Sequence, residues 1–338
     1  VSGVRRAWLD VGPGEARGLV TLDGRPERLL VVRDGDQTPR LGQRFGARVE
    51  AVSARLGLAR LDLGGQLATL RLRGGAPPAV GARLSVEVTA EPVRGKPAAV
   101  RLIADAPPSS SGPLEPPASV EAQLAALGFT LWETGDDARE RLDEAEAEAC
   151  AREHEVGQGV TLVIEPTRAL TAVDVDLAET GAPASVARAN VLAVVEAARL
   201  LRLKAIGGLV AIDLVGFPKD VRGLMAQARE AFAPDGGEVV LAPPSRFGVL
   251  ELSKPNARQP LHEHLLDPNG RPSPRTVAQA VVRALERQGR FDPGGRLVAA
   301  CAPEVAAAAT LLVAALGPRF SVRAEVGRAR SAYDIRTP

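Results

Sequence analysis

Leu170-Thr-Ala-Val-Asp-Val-Asp176 and Leu209-Val-Ala-Ile-Asp-Leu214 are the two stretches on which the fold turns. Each is a short apolar run of strand length, and each is broken by a carboxylate. Asp174 and Asp176 stand two residues apart, so on a strand they share a face. Asp213 sits where a central strand is expected to carry Val, Ile or Leu. The pattern predicts buried carboxylates, which are costly without a partner. Laid side by side, the two strands bring Asp174 and Asp213 together, and like charges that close repel unless a divalent cation neutralises them. Carboxylate oxygens alone suit Mg²⁺ or Mn²⁺ and not zinc.

Around these strands, residues 159–253 alternate strand and helix. Val160–Ile164 reads as a strand that turns at Pro166-Thr-Arg into the Asp174 strand. A helix is expected over Ala184–Leu203, with Val191, Val194, Val195, Ala198 and Leu201 on one face, stopped by Gly207-Gly208. After Asp213 come a helix near Val221–Phe232 and strands at Glu238–Leu241 and Phe247–Leu252. Residues 256–274 are rich in Pro and Asn, and His262 and His264 read as exposed loop histidines with no cysteine nearby. The tail gives helix, strand, helix, strand at Arg275–Gln288, Arg296–Cys301, Glu304–Leu316 and Phe320–Glu325.

Upstream, residues 1–40 carry two or three strands between turns such as Asp23-Gly24 and Asp34-Gly35. From Gly42 the texture is all-β: five short strands that suit a small OB-type barrel, with Asp62 and Gly64-Gly65 making a hairpin turn. Ala106–Pro117 is a Pro/Ser-rich break, and residues 119–155 hold two helices, the second with a charged, solvated face.

Composition limits the function classes. A length of 338 residues allows two or three domains, and 45% apolar residues argue for a folded chain. Aromatics are 3%, so ring stacking has few candidates, and a net charge of +1 excludes a generic polyanion binder. Lysine occurs only at positions 96, 204, 219 and 254. Cys150 and Cys301 are far apart and form no CxxC, which points to inert thiols in a reducing, cytoplasmic setting. No apolar run reaches the ~18 residues of a membrane span, and the N-terminus lacks a signal-peptide h-region. Neither GxxxxGK nor GxGxxG occurs.

Taken in order, Thr167-Arg-Ala-Leu, the Asp174 strand, Asn190-Val-Leu-Ala-Val, Leu201-Arg-Leu-Lys-Ala-Ile-Gly-Gly, Ala211-Ile-Asp-Leu and Ser245-Arg-Phe-Gly-Val-Leu-Glu-Leu-Ser resemble the motifs of the ribonuclease E/G family. Glu91-Pro-Val-Arg-Gly-Lys-Pro-Ala-Ala looks like the end of that family's OB-type domain. The resemblance implies an α/β (α+β multidomain) chain. Its parts are N-terminal strands of an RNase-H-like subdomain at 1–40, an OB-type RNA-binding barrel at 41–106 and a linker at 107–117. The helical remainder of the RNase-H-like subdomain follows at 118–157, then a DNase-I-like catalytic subdomain at 158–258, a loop at 259–274 and a small C-terminal α/β domain at 275–338.

By the same resemblance Asp174 and Asp213 are Mg²⁺-binding catalytic aspartates, and Asp176 stands where the family usually has an Asn that orients the site. Lys96 falls on a lysine that contacts RNA. Arg60 replaces a barrel Phe, so contacts from Arg to phosphate are expected in place of stacking. Arg246 either holds phosphate or pairs with a site carboxylate such as Asp176. Ala106–Glu155 is too short for the family's 5′-phosphate sensor, and Leu266-Asp-Pro-Asn-Gly-Arg-Pro replaces its Cys-Pro-x-Cys zinc-link. The chain thus looks like a reduced paralogue: no zinc, no membrane, and any homo-oligomer formed without a zinc link. The expected function is a metal-dependent endoribonuclease that cleaves single-stranded RNA. The rival is an RNA-binding interaction module with weak or no nuclease activity.

Overall fold

The computed structural model describes residues 3–337 apart from 73, 75, 105–107, 179–184 and 237. Strands β1 (Arg5–Gly12), β2 (Glu15–Leu22) and β3 (Arg25–Arg33) form an antiparallel meander. Both of its faces are covered. Ala7, Leu9, Val20 and Leu30 pack on Val120 and Leu124 of the first helix, while Trp8, Leu19 and Leu29 join the main core.

Five strands then close a barrel: β4 (Arg44–Ser53), β5 (Leu58–Asp62), β6 (Leu67–Arg71), β7 (Arg83–Ala90) and β8 (Ala98–Leu102). Their order is β5-β6-β8-β7-β4, and β4 pairs back to β5, so no edge among the five is left open. Alternate residues such as Val49, Leu61, Leu70 and Val86 fill its interior. At the β5–β6 turn, Asp62 Oδ1 accepts from the backbone N–H of Gly64 and Gly65 at 3.0 and 2.7 Å, the hairpin chemistry expected there.

The Pro/Ser-rich break is not a free linker. Gly112–Pro113 forms a short strand, β9, on β4, and a Cβ on Gly46 would lie 2.3 Å from the carbonyl oxygen of Ser110. Only a glycine at 46 admits so close a backbone. Positions 105–107, which include the start of the expected linker, lie outside the described residues.

Helices α1 (Val120–Ala126) and α2 (Asp136–Cys150) follow, then β10 (Glu153–Gly157), β11 (Val160–Pro166), β12 (Thr171–Leu177), α3 (Val186–Leu203), β13 (Gly208–Asp213), α4 (Val221–Phe232), β14 (Val240–Leu241) and β15 (Val249–Lys254). The strands make one six-stranded sheet in the order β10-β11-β12-β13-β15-β14, in which only β12 and β13 run parallel. Strand β10 falls inside the stretch expected to be helical. The start of the expected α3, Ala184, lies outside the described residues.

Helix α3 is capped by Ser185, whose side chain accepts from Arg188 N–H, and it is buried over most of its length. Val195 was expected on its packed face but is exposed. The inward surface is instead made by Ala193, Val194, Ala197, Ala198 and Leu201, small residues that let strands approach closely. Lys204 at its end is buried and donates to the carbonyls of Glu148, Ala149 and Ala151, satisfying orphan acceptors at the end of α2. Burial lowers its pKa to about 8.

The expected loop at 256–274 contains a short helix, α5 (Leu261–Leu265). His264 is therefore not an exposed loop residue: it is largely buried, with Nδ1 3.4 Å from Arg40 Nη2 and 3.6 Å from Asp36 Oδ2. His262 is half-buried on the same helix. The chain ends in α6 (Pro274–Phe291), β16 (Leu297–Cys301), α7 (Pro303–Ala315), β17 (Phe320–Ala324) and an unanticipated β18 (Tyr333–Arg336), with a core of their own. This module is tied to the meander by ions: Glu15 is gripped by Arg33 and Arg283, both at 2.7 Å. Cys301 is buried and Cys150 half-buried, both as free thiols. No described helix is long and apolar enough to cross a membrane.

Candidate active site

One face of the six-stranded sheet is core and the other is open. On β12, Thr171, Val173 and Val175 point inward while Asp174 and Asp176 are exposed; on β13, Val210 and Ile212 point inward while Asp213 is exposed. The expectation of buried carboxylates is therefore corrected. Helix α3 covers only one side of the sheet, so the alternation places the aspartates in solvent, where no partner is demanded.

The juxtaposition itself is as expected. Asp174 and Asp213 are register partners on β12 and β13, with Val163 and Val249 beside them on the outer strands. Neighbouring strands lie about 4.8 Å apart, so the two side chains leave adjacent backbones from one face. Asp176 shares that face but is opposite Thr161, about 7 Å further along its strand. Among the described residues no His, Cys, Asp or Glu completes a group of three around a common point, and neither Asp174 nor Asp213 has an ion-pair partner.

Two carboxylates without further ligands do not make a closed metal cage. They do fit a hard cation that keeps several waters and takes one or two carboxylates plus substrate oxygens, as Mg²⁺ does. The donor set, oxygen only, suits Mg²⁺ or Mn²⁺. The open face also carries Glu153, Glu155, Glu165 and Glu251, all exposed, with Glu165 paired to Arg152. A polyanion approaching that face meets repulsion that a bound cation would relieve.

The pair closes the parallel ladder: Asp213 ends β13, where a loop can gather around a ligand, while Asp174 lies midway along β12, which runs on to Leu177. The loop after β13 is pinned by a residue to which the sequence had given no role. Asn190, buried on α3, donates through Nδ2 to Val215 O at 3.2 Å and accepts from Val215 N–H at 2.9 Å through Oδ1. The signal was present: an amide at an inward helix position must find partners, and a backbone offers both.

The other expected site residues are more scattered. Arg246 is exposed on the turn before β15, its guanidinium 4.8 Å from the Phe247 ring centroid and not paired with Asp176. Arg60 lies on β5 and is paired with Glu50 at 3.0 Å. Lys96 is exposed in the loop between β7 and β8. That loop is docked on the sheet through Arg94, whose Nη2 donates to Thr171 Oγ1 at 2.9 Å and whose backbone N–H donates to the Glu263 carboxylate. The structure thus ties the loop that carries Lys96 to the start of β12, and not to Asp174.

A sequence profile described as the Ribonuclease E/G family matches residues 137–257, from α2 to just beyond β15. Over residues 137–257 the chain is similar to the Ribonuclease E/G family. Within relatives of that family the chain is 35% identical over 112 residues to Ribonuclease E of Haemophilus influenzae, covering 31% of this chain and 12% of that protein. It is 33% identical over 141 residues to Ribonuclease E of Escherichia coli, covering 40% of this chain and 13% of that protein. Against Ribonuclease E of a Nostoc species the figures are 29% over 130 residues, 36% of this chain and 19% of that protein. The chain therefore spans under a fifth of these relatives. The Ribonuclease E/G match contains Asp174, Asp176, Asn190, Asp213 and Arg246 but neither Arg60 nor Lys96.

Proposed function

We propose that this chain is a metal-dependent endoribonuclease that cleaves single-stranded RNA at the Asp174–Asp213 pair. The observation that carries it is the register pairing of these two carboxylates on an open sheet face, inside the stretch that matches the Ribonuclease E/G family. On this reading the six-stranded sheet is the DNase-I-like catalytic subdomain and the β4–β8 barrel is an OB-type RNA-binding element.

Asp174 and Asp213 would hold Mg²⁺ or Mn²⁺ between adjacent strands, with Asp176 orienting the site from the same face. A divalent cation bound there supplies Lewis acidity and counter-charge at the scissile phosphate. The chain's own part is to hold the two carboxylates at fixed spacing on hydrogen-bonded strands and to present cations to the RNA backbone. Lys219, Arg222 and Arg246 are exposed around the loops beyond β13 and before β15, and exposed Arg and Lys give sequence-independent phosphate affinity.

The test is cleavage of a fluorescent single-stranded RNA by the purified chain with Mg²⁺ against EDTA. Endonucleolytic products that need Mg²⁺ or Mn²⁺ support the reading. RNA bound but uncut at every metal tried would put an interaction module in its place.

A further inference from the structure

Two phenylalanines beside the carboxylate pair have no part in the chemistry above. Phe217 is 56% exposed and Phe247 is 76% exposed, whereas Phe45 and Phe232 are packed into cores. Phe217 follows Asp213 by four residues in the loop after β13, and Phe247 precedes Val249, the register partner of Asp213, by two.

The loops that carry them touch and are well held. Leu214 N–H donates to Gly248 O at 3.2 Å, and a Cβ on Gly248 would lie 3.3 Å from Gly216 O. Asn190 pins Val215 on one side. On the other, Ser245 N–H donates to Val249 O at 2.8 Å and Gly248 N–H to Ser245 O at 2.9 Å. The rings are thus presented on ordered turns that the protein does not cover.

A single exposed ring is ordinary. Two on adjoining turns, with Arg246 stacked on one and Lys219 and Arg222 nearby in sequence, make the combination that binds single strands: π-faces for bases and cations for phosphates. The barrel does not offer this. Phe45 is the only aromatic residue of its strands, at 4% exposure, and Arg60 is committed to Glu50.

We propose that Phe217 and Phe247 form a stacking platform that holds unpaired bases of single-stranded RNA next to the Asp174–Asp213 pair, with Arg246 set against the adjoining phosphates. The proposal rests on the ribonuclease reading and names how that site would select unpaired RNA.

The test is equilibrium binding of a single-stranded RNA dodecamer carrying 2-aminopurine, in Ca²⁺ buffer, with the RNA checked intact on a gel. Alanine at either phenylalanine (F217A, F247A) should weaken binding roughly tenfold and relieve the 2-aminopurine quenching seen with wild type. F247W should restore both. The slope of log affinity against log salt should stay unchanged in the phenylalanine variants and become shallower in R246A. Duplex RNA, whose bases are already stacked, should bind wild type and the double variant alike. Wild-type affinity and quenching in F217A/F247A, with wild type binding well, would overturn the platform and leave the ribonuclease reading standing. Failure of wild type to bind any single-stranded RNA would overturn both.

Discussion

Asp174 and Asp213 are direct register partners across the parallel strands β12 and β13, and both face solvent. Because they are exposed, their charge can be removed without disturbing a core. Asp213→Asn should lower single-turnover cleavage of single-stranded RNA by at least about a hundredfold, since it removes half of the cation's anchor. The stability change should stay within about 0.5 kcal/mol, as for other exposed substitutions. Asp174→Asn should behave alike, and the double variant should be no worse than either single one, because the two act as a unit. Wild-type cleavage by either single variant would dismiss the pair as the site.

Asn190 should matter for a different reason. Its amide satisfies both backbone groups of Val215, and it is buried. Asn190→Ala leaves a part-buried N–H and C=O without their side-chain partner and should cost about 1 kcal/mol, read from denaturant unfolding. It should also slow cleavage beyond any change in RNA affinity, because the loop that follows Asp213 loosens. A variant as stable as wild type would show that water or a shifted backbone replaces the amide.

Much of this arrangement was legible in the sequence. The alternation in Thr171–Leu177 and the run ending at Asp213 specify both strands, and the helix between them is the length of connection that parallel neighbours need; that the strands are adjacent, with the aspartates in register, comes from the structure. The five barrel strands could be read from their turns. Solvent exposure of the aspartates could not, because a short run such as Leu-Val-Ala-Ile-Asp reads alike whether one or both sheet faces are covered. Strand β18 and the short β9 were missed because each depends on a distant partner and not on a local pattern. The burial of His264 was hidden for a similar reason: its neighbours Asp36 and Arg40 lie more than two hundred residues away.

That histidine gives the chain an acid sensitivity. Burial, with Arg33 and Arg40 beside it, lowers the His264 pKa from 6.5 to about 3. Between those values the unfolded chain takes up a proton that the folded chain refuses, so stability falls as pH drops from 6.5 toward 3. At pH 5 the loss from this residue should be about 2 kcal/mol relative to pH 7. His154, lowered to about 4 chiefly by burial, acts in the same direction. His264→Gln keeps an oxygen that can accept from Arg40 but does not titrate. The difference between urea midpoints at pH 7 and pH 5 should shrink in this variant, and an unchanged difference would assign the acid sensitivity elsewhere.

Glu91 should decide whether the barrel stays docked. It is buried just after β7, where its Oε1 accepts from Leu41 N–H at 3.0 Å and its Oε2 from Gln259 N–H at 2.9 Å and Arg40 Nη1 at 3.3 Å. Its own N–H donates to Ala257 O at 3.0 Å. One carboxylate therefore gathers the entry to the barrel and the segment after β15. Glu91→Ala strands two backbone donors and removes one of the partners of Arg40, which keeps Asp36. The cost should be about 2–4 kcal/mol. Glu91→Gln should cost less, since its one carbonyl oxygen still accepts while its NH₂ faces a donor. The barrel's own core, including Val49, Leu61 and Val86, does not depend on Glu91. Native-state hydrogen exchange in Glu91→Ala should therefore speed up at the amides of Leu41 and Gln259 while those of β5 and β6 stay protected. Loss of protection throughout β5 and β6 would show that Glu91 holds the barrel together and not merely in place.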